Sequence, residues 1–276
     1  MTVIAMTREM ATLGKDVAAG LAERLGLTVV HHELVEHDVA KRSGLPESEV
    51  HRFLEGEASL LERWRVDHGK LSRYTALEIL ELAVKGNVVI RGWGATYLLR
   101  SIPHVACVRI CAPMPWRERV LMQRIGIATP AVARRELERN DAAHNGAMQR
   151  MFGINWTDAT LYAITLNTAQ VPVPDCVEHI VKLTQCERFR ETEQTRTALF
   201  DRLIEARVHS DLGQRFGGNL DAVGIDVKVS NGVVTLSGAM SDERLIADIV
   251  RRVHAVEGVR GVESQVQYLA FARGLG

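Results

Sequence analysis

Short apolar runs alternate with longer amphipathic segments over the first two thirds of the chain. The runs have strand length, whereas the segments between them repeat apolar residues every three or four positions, as helices do. This alternation predicts a parallel α/β sheet with helices on both faces. The predicted strands span residues 2–6, 27–32, 87–94, 105–113 and 161–168. The predicted helices span residues 14–25, 33–43, 45–66, 73–85, 115–126, 129–153 and 174–189.

The pattern changes after Phe189. A charged helical stretch, with no strand before it, leads into two alternating strands at residues 225–229 and 233–236. Asn231-Gly232 lies between these strands, and Asn-Gly between alternating apolar residues is a strong hairpin signal. A further helix and a last strand complete a small α+β unit. We therefore expect a domain at residues 1–187, a charged helical linker at 188–197 and a small domain at 198–276.

The composition narrows the class of protein. Apolar residues make up 46 % of the 276 residues, enough for a sizeable core. The 34 basic and 34 acidic side chains balance, which argues against a nucleic-acid partner. No apolar run approaches the roughly 20 residues of a membrane span, and the N-terminus has no secretory pattern. These features predict a cytoplasmic protein without a transmembrane segment, and its four cysteines are expected to be reduced.

The turn after the first strand is the main candidate for chemistry. Gly14-Lys15-Asp16 resembles the end of a Walker A loop, GxxxxGK[ST]. Glu9 stands at the first glycine position, however, and Asp16 stands at the hydroxyl position. A strand, a tight turn and a helix N-terminus together direct backbone N–H groups at an anion. The alternative is an ordinary strand–helix turn, in which Asp16 only favours the first turn of the helix.

Several stretches together resemble the cytidylate kinase-like family, a branch of the P-loop nucleoside monophosphate kinases. They cover roughly residues 1–187 and are moderately specific as a set. They read "TREMATLGKDVAAGLAERLGL", "VVIRGWGATYLL", "APMPWRERV" and "ERNDAAHNGAMQRMFGINWTDATLYAITLNT". The resemblance implies a P-loop fold and ATP-dependent phosphoryl transfer to a nucleoside monophosphate such as cytidylate, or to a related small molecule. ATP and Mg²⁺ are the implied cofactors, because the polyphosphate charge needs neutralising.

The resemblance also implies roles for particular residues. The implied cofactor-binding residues are Arg8, Thr12, Leu13, Gly14, Lys15 and Asp16. The implied substrate-binding residues are Arg91, Gly92 and Asp141. Lys15 and a lid formed by Arg134, Arg135 and Arg139 would be catalytic, since phosphoryl transfer needs positive charge around the transferring group. For each arginine the alternative is an exposed helix face with ion pairs such as Arg134–Glu138. No protein metal site is expected.

Two departures from the family pattern leave questions open. In one alignment Lys15 stands at the Walker lysine position; in the other Gly14 does, and Lys15 takes the hydroxyl position. Family members usually carry Gly-Arg-Gly after the middle strand, where this chain has Gly92-Trp93-Gly94. Trp93 offers no charge for an acceptor phosphate, whereas the neighbouring Arg91 does.

The C-terminal unit resembles a BON domain, through "NGVVTLSG" and "VEGVRGVESQV" within roughly residues 198–270. BON domains are associated with phospholipid surfaces, so the resemblance implies a phospholipid partner. A protein partner, or regulation of the neighbouring domain, has equal weight. The alternative function for the whole chain is a non-catalytic nucleotide-binding sensor or adaptor coupled to this unit.

Overall fold

The computed structural model describes residues 1–30, 32–54, 68–92, 94–126, 128–216 and 224–269. Its larger sheet has five parallel strands in the order β2-β3-β1-β4-β5. These strands are β1 Val3–Arg8, β2 Thr28–Val30, β3 Val88–Arg91, β4 Val105–Cys111 and β5 Ile164–Asn167. The central position of β1 brings its carboxyl end between the ends of β3 and β4.

The helices of the first domain connect these strands. They are α1 Gly14–Leu25, α2 His32–Ser43, α3 Glu47–Leu54, α4 His68–Lys85, α5 Ala95–Leu99, α6 Met114–Ile125, α7 Pro130–Phe152 and α8 Val173–Gln185. Short 3₁₀ turns lie at Ala159–Leu161 and Glu187–Phe189. α1 ends at Gly26, whose φ of 64° suits a glycine helix cap and whose N–H bonds the carbonyl of Ala22.

β1 is buried on both faces because strands flank it and helices cover the sheet. Val3 and Ala5 enter one apolar core, which includes residues of α2, α4 and α5. Ile4 and Met6 enter the other, which includes residues of α1 and α8. Alternate residues of the apolar run at the start of the chain therefore pack against the helices on opposite faces of the sheet.

The second unit is a small sheet of three strands covered by helices. β6 Ile225–Ser230 pairs antiparallel with β7 Val233–Met240, and β7 pairs parallel with β8 Gly261–Tyr268. Asn231 and Gly232 both have positive φ, at 51° and 78°, as the predicted two-residue hairpin turn requires. α10 Glu243–His254 connects β7 to β8.

One long helix joins the two units. α9 Glu193–Arg215 contributes Leu199 and Leu203 to the core that contains β3 and α4. Its later residues Ile204, Val208 and Leu212 belong to the core of the small domain. The expected boundary between the charged linker and the small domain, at residue 198, thus lies inside a single helix.

The predicted fold class is confirmed, with a parallel sheet flanked by helices followed by a small α+β unit. The predicted second strand was too long, because β2 ends at Val30 and α2 already begins at His32. The later part of the helix predicted at residues 45–66 lies outside the described residues. All four cysteines are free thiols, as expected. Within the described ranges, no helix combines the length and the apolar character needed to cross a membrane.

Candidate phosphate-binding site

The turn between β1 and α1 has an unusual backbone. Ala11 and Leu13 lie in the left-handed region, with φ of 61° and 55°, although neither is glycine. Alternation between right- and left-handed residues turns successive N–H groups towards one side, which makes an anion-binding concavity. The first N–H groups of α1 also lack intrahelical acceptors and lie at the positive end of the helix dipole. The turn therefore offers a backbone site for an anion.

The left-handed conformation of Leu13 bears on the open alignment. In the Walker pattern a glycine directly precedes the lysine, and α1 begins directly after Leu13. A residue that needs positive φ is where glycine is favoured. The backbone therefore favours the alignment in which Gly14 stands at the lysine position and Lys15 at the hydroxyl position.

Two threonines hold the turn in place. Thr12 is fully buried, and its hydroxyl donates to the carbonyl of Glu9 at 2.7 Å. Thr168, which follows β5, donates its hydroxyl to the carbonyl of Thr12 at 2.8 Å. The Thr12 hydroxyl is thus hydrogen-bonded within the turn. The residue after β5 is hydrogen-bonded to the turn and fixes its position relative to the sheet.

Glu9 is the centre of an ionic network that the sequence did not indicate. Its carboxylate bonds the guanidinium of Arg109 and accepts from the N–H of Ala112 at 3.2 Å. Arg117 lies 3.7 Å from the same carboxylate and donates to the carbonyl of Met10 at 2.8 Å. Glu9 therefore ties the first position of the turn to the ends of β4 and α6.

Arg117 connects this turn to α7. Its two terminal nitrogens donate to the two carboxylate oxygens of Asp141 at 2.8 and 2.7 Å. Its side chain is only 4 % exposed, although the charged stretch around it in the sequence is typical of a solvated helix face. Bidentate pairing with a carboxylate fixes both partners. Asp141 is therefore held beside the turn by Arg117.

The charged residues among the predicted cofactor-binding set lie at the start of α1 and at the end of β1. Lys15 and Asp16 are exposed in the first turn of α1. Arg8 ends β1 and crosses directly over Gly14, where a Cβ added to the glycine would lie 2.7 Å from Cδ of Arg8. The space above Gly14 is therefore filled by the stem of an arginine from the neighbouring strand.

The predicted acceptor residues lie at the end of β3. Arg91 is its last residue, is buried, and stands beside Met6 of β1 in the sheet. Gly92 has a φ of 86° and donates its N–H to the carbonyl of Met6 at 3.0 Å. Arg91 and Gly92 thus reach the same edge of the sheet as the turn. Trp93 lies outside the described residues.

The three predicted lid arginines lie on the exposed face of α7. Arg134, Arg135 and Arg139 are exposed. Arg134 pairs with Glu118 of α6, and Arg139 lies 3.8 Å from Glu136 of its own helix. The opposite face of α7 packs against the turn through an apolar cluster. That cluster contains Ala11, Leu121, Ala133 and Leu137.

An aromatic and histidine cluster continues the inner face of α7. The rings of His144 and Trp156 are arranged edge to face, with their centroids 4.3 Å apart, and the guanidinium carbon of Arg109 lies 5.6 Å from the centroid of the Trp156 ring. Burial lowers the pKa of His144 to about 4; the Asp141 charge opposes this shift and the Arg8 charge adds to it. His144 is therefore neutral at pH 7.

Tyr162 is hydrogen-bonded to the backbone of Trp156. Its hydroxyl donates to the carbonyl of Trp156, and burial raises its pKa to about 12. Asp158 accepts from the N–H of Thr160 at 2.8 Å and caps a 3₁₀ turn. Both residues therefore have structural roles in this segment. Among the described residues, no group of three or more His, Cys, Asp or Glu side chains could hold a metal ion.

This combination of a parallel sheet, an anion-binding turn at the end of its central strand and a helix that begins there defines a P-loop kinase-like domain. The model of the cytidylate kinase-like family matches residues 3–170, and the chain belongs to that family. The BON domain model matches residues 200–270, so the chain carries the fused architecture that the sequence indicated.

Individual relatives are distant. The chain is 25 % identical to the cytidylate kinase of Pyrobaculum aerophilum over 177 residues, which cover 64 % of this chain and 89 % of that protein. It is 28 % identical to the cytidylate kinase of Aeropyrum pernix over 165 residues, or 60 % and 88 % of the two chains. A crystal structure of an uncharacterized protein from Eubacterium ventriosum matches with a TM-score of 0.54 and 20 % identity, over 68 % of this chain and all of that one. This structural likeness shows the fold alone.

Proposed function

We propose that the chain transfers a phosphoryl group from ATP to a nucleoside monophosphate, with cytidylate as the leading acceptor. The observation that carries this proposal is the left-handed turn at Ala11 and Leu13, which opens α1 at the end of the central strand. Membership of the cytidylate kinase-like family supports a nucleotide kinase-like activity. Two relatives are cytidylate kinases, and the choice of acceptor rests on their names.

The donor nucleotide would lie with its phosphates against the turn. The N–H groups from Thr12 to Lys15 would bind phosphate oxygens, and the cationic side chains of Arg8 and Lys15 would add charge. Mg²⁺ binds proteins through one or two carboxylates together with substrate phosphates. Asp16 fits that requirement because its carboxylate is exposed beside the turn, whereas Asp141 is engaged by Arg117.

The acceptor would bind at the neighbouring strand end. Arg91 is buried at the carboxyl end of β3, beside the strand that leads into the turn. A guanidinium suits bidentate recognition of a phosphate, so Arg91 would receive the acceptor phosphate. Gly92 would let the backbone approach it. Asp141, held by Arg117, would border this space from α7. The lid role of Arg134, Arg135 and Arg139 requires α7 to present another face after nucleotide binding.

The test is a phosphotransfer assay with the purified full chain, MgATP and each of CMP, dCMP, UMP, AMP and GMP. We expect transfer, fastest to a pyrimidine monophosphate. Arg91→Lys should raise the KM for the acceptor about tenfold or more with little change in ATP binding, because a point charge replaces a bidentate fork. Arg100→Ala is the matched control, since Arg100 is exposed and packs on Tyr97. Binding of MgATP without transfer to any acceptor would disprove the kinase activity.

A non-catalytic nucleotide sensor is the second candidate. It is favoured by the exposed positions of Arg134, Arg135 and Arg139 and by the absence of a side chain at Gly14. This candidate predicts that calorimetry detects ATP binding, while no acceptor is phosphorylated. In that case a change in partner binding at the BON domain upon ATP addition would support the sensor.

We propose that the BON domain binds a phospholipid surface or a protein partner. Tyr268 and Leu269 at the end of β8 are 54 % and 48 % exposed, and such apolar side chains suit insertion at an interface. Co-sedimentation of the full chain with vesicles of phosphatidylglycerol tests the phospholipid partner, with Tyr268→Ser/Leu269→Ser as the variant. Absence of pelleting would leave the protein partner. The cytoplasmic location of the chain stays a prediction.

A further inference from the structure

A Walker loop normally carries a lysine whose ammonium reaches the phosphates. In this chain the backbone gives that position to Gly14, because the left-handed residue before the helix is Leu13. Gly14 itself does not have positive φ, so its backbone conformation does not require glycine. Something other than backbone geometry excludes a side chain at this position.

The excluded space belongs to Arg8. A Cβ placed on Gly14 would lie 2.7 Å from Cδ, 2.9 Å from Cβ and 3.3 Å from Cγ of Arg8. These are atoms of the stem near the backbone, which a small rotation of the side-chain end would not move. The arginine stem of β1 and a side chain at position 14 are therefore mutually exclusive in this structure.

Three arginines surround the turn. Arg109 bonds Glu9, and Arg117 bonds Asp141 and the carbonyl of Met10. Arg8 is the last residue of β1, and its stem runs directly over Gly14. Arg8 thus brings its cationic side chain from the central strand to the start of α1.

We propose that Arg8 replaces the Walker lysine: its guanidinium binds the phosphate oxygens of the donor nucleotide from β1, across the side-chain position that Gly14 leaves empty. This inference rests on the proposed function, since it assigns a residue to the nucleotide site. Lys15, one position further along the helix, then acts on the outer side of the phosphates and contributes less. The same geometry accounts for a glycine where the Walker pattern has lysine.

The test exchanges the two positions in the full chain and measures MgATP binding by calorimetry. Arg8→Ala should weaken binding about 10- to 100-fold, the effect of losing a charge-assisted hydrogen bond. Gly14→Lys alone should also weaken binding, because the new side chain meets the stem of Arg8. The double variant Arg8→Ala/Gly14→Lys should recover most of the affinity, since the stem is gone and a lysine stands at the Walker position. Arg24→Ala, on the exposed face of α1, is the matched control and should bind as the wild type does.

Circular dichroism and thermal melts of each variant establish that it is folded before binding is compared. Wild-type affinity in Arg8→Ala would overturn the inference while leaving the proposed function intact. A double variant that folds and binds no better than Arg8→Ala would also overturn it, since a lysine at position 14 would then not replace the arginine. A wild-type chain that binds no nucleotide at all would instead overturn the proposed function, and this inference with it.

Discussion

Glu9 lies directly after β1, at the start of the turn, and its carboxylate accepts hydrogen bonds from an arginine and from a backbone N–H. At this scale the site is organised by charges that would be costly to bury alone. Arg117 compensates Glu9 and Asp141 at once, and it also binds the carbonyl of Met10. These side chains do not need to touch a nucleotide to matter, because they set the shape of the turn that would bind it.

Replacing Arg117 tests this organisation. Arg117→Ala removes the cation from beside two carboxylates, so we expect the free energy of unfolding to fall by about 2–4 kcal/mol. Arg134→Ala breaks an ion pair whose arginine is 52 % exposed, so it should lower the free energy of unfolding much less than Arg117→Ala does. Urea denaturation of both variants gives the comparison. Equal losses would contradict the structural role of Arg117.

His144 makes stability depend on pH. Its pKa is lowered to about 4 in the folded chain, so between the ordinary value near 6.5 and about 4 the unfolded state binds a proton that the folded state does not. His144 therefore leaves the free energy of unfolding unchanged above pH 6.5 and lowers it progressively as the pH falls from 6.5 towards 4. Between pH 7 and pH 5 the wild type should lose about 1–2 kcal/mol more than His144→Gln. Denaturation at both pH values measures this difference, and parallel losses would refute it.

At the scale of elements, the turn between β1 and α1 has a strained backbone that is held by hydrogen bonds and by apolar packing. Ala11 and Leu13 hold a conformation that costs non-glycine residues roughly 1–2 kcal/mol each. Thr12 and Thr168 hold it from inside, and the apolar cluster of α6 and α7 covers Ala11. Strain of this kind persists where the surroundings determine the backbone, which is common at ligand sites.

Substitutions at Leu13 measure that strain. Leu13→Gly removes the steric penalty of positive φ, whereas Leu13→Val adds a branched Cβ to it. We expect the valine variant to be at least about 1 kcal/mol less stable than the glycine variant. Valine keeps three of the four side-chain carbons of leucine and glycine keeps none, so any loss of packing in the glycine variant works against the expected difference. Thermal and urea unfolding give the values, and a valine variant as stable as the glycine variant would show that Leu13 is not strained.

At the scale of the whole molecule, α9 is common to two cores. Leu199 and Leu203 pack with the first domain, whereas Val208 and Leu212 pack in the small domain. Asp201 of the same helix accepts the N–H groups of Asn231 and Gly232, both at 2.8 Å, and so fastens the hairpin turn. A helix shared in this way transmits the loss of packing on one side to the other.

This sharing predicts one cooperative unfolding transition of the full chain. Leu199→Ala, on the side of the first domain, and Val208→Ala, on the side of the small domain, should each lower the stability measured in that same transition, by roughly 1–4 kcal/mol. Differential scanning calorimetry records the transitions. Two separate transitions, each sensitive to only one of the substitutions, would mean that the domains unfold independently.

The sequence alone indicated the succession of the strands and of most helices, the hairpin at Asn231-Gly232 and the turn after β1 as the candidate anion site. These features follow from short-range patterns: apolar periodicity, glycine positions and the strand–turn–helix succession. The family resemblance drew on the same local stretches. Local patterns succeeded here because each element is built from residues that are neighbours in the chain.

The tertiary structure decided which charges meet. Arg117 and Asp141 are 24 positions apart on different helices, and Glu9 and Arg109 are 100 positions apart in the chain, so no local pattern joins them. The exposure of the three arginines predicted to form a lid depends on which side of α7 packs against Ala11 and Leu121. The contact of Arg8 with Gly14 likewise requires the backbone path of the turn. The sequence by itself indicated the turn that we propose as the phosphate site. Only packing decided which side chains surround that turn, because side-chain neighbours at a sheet edge come from segments distant in the chain.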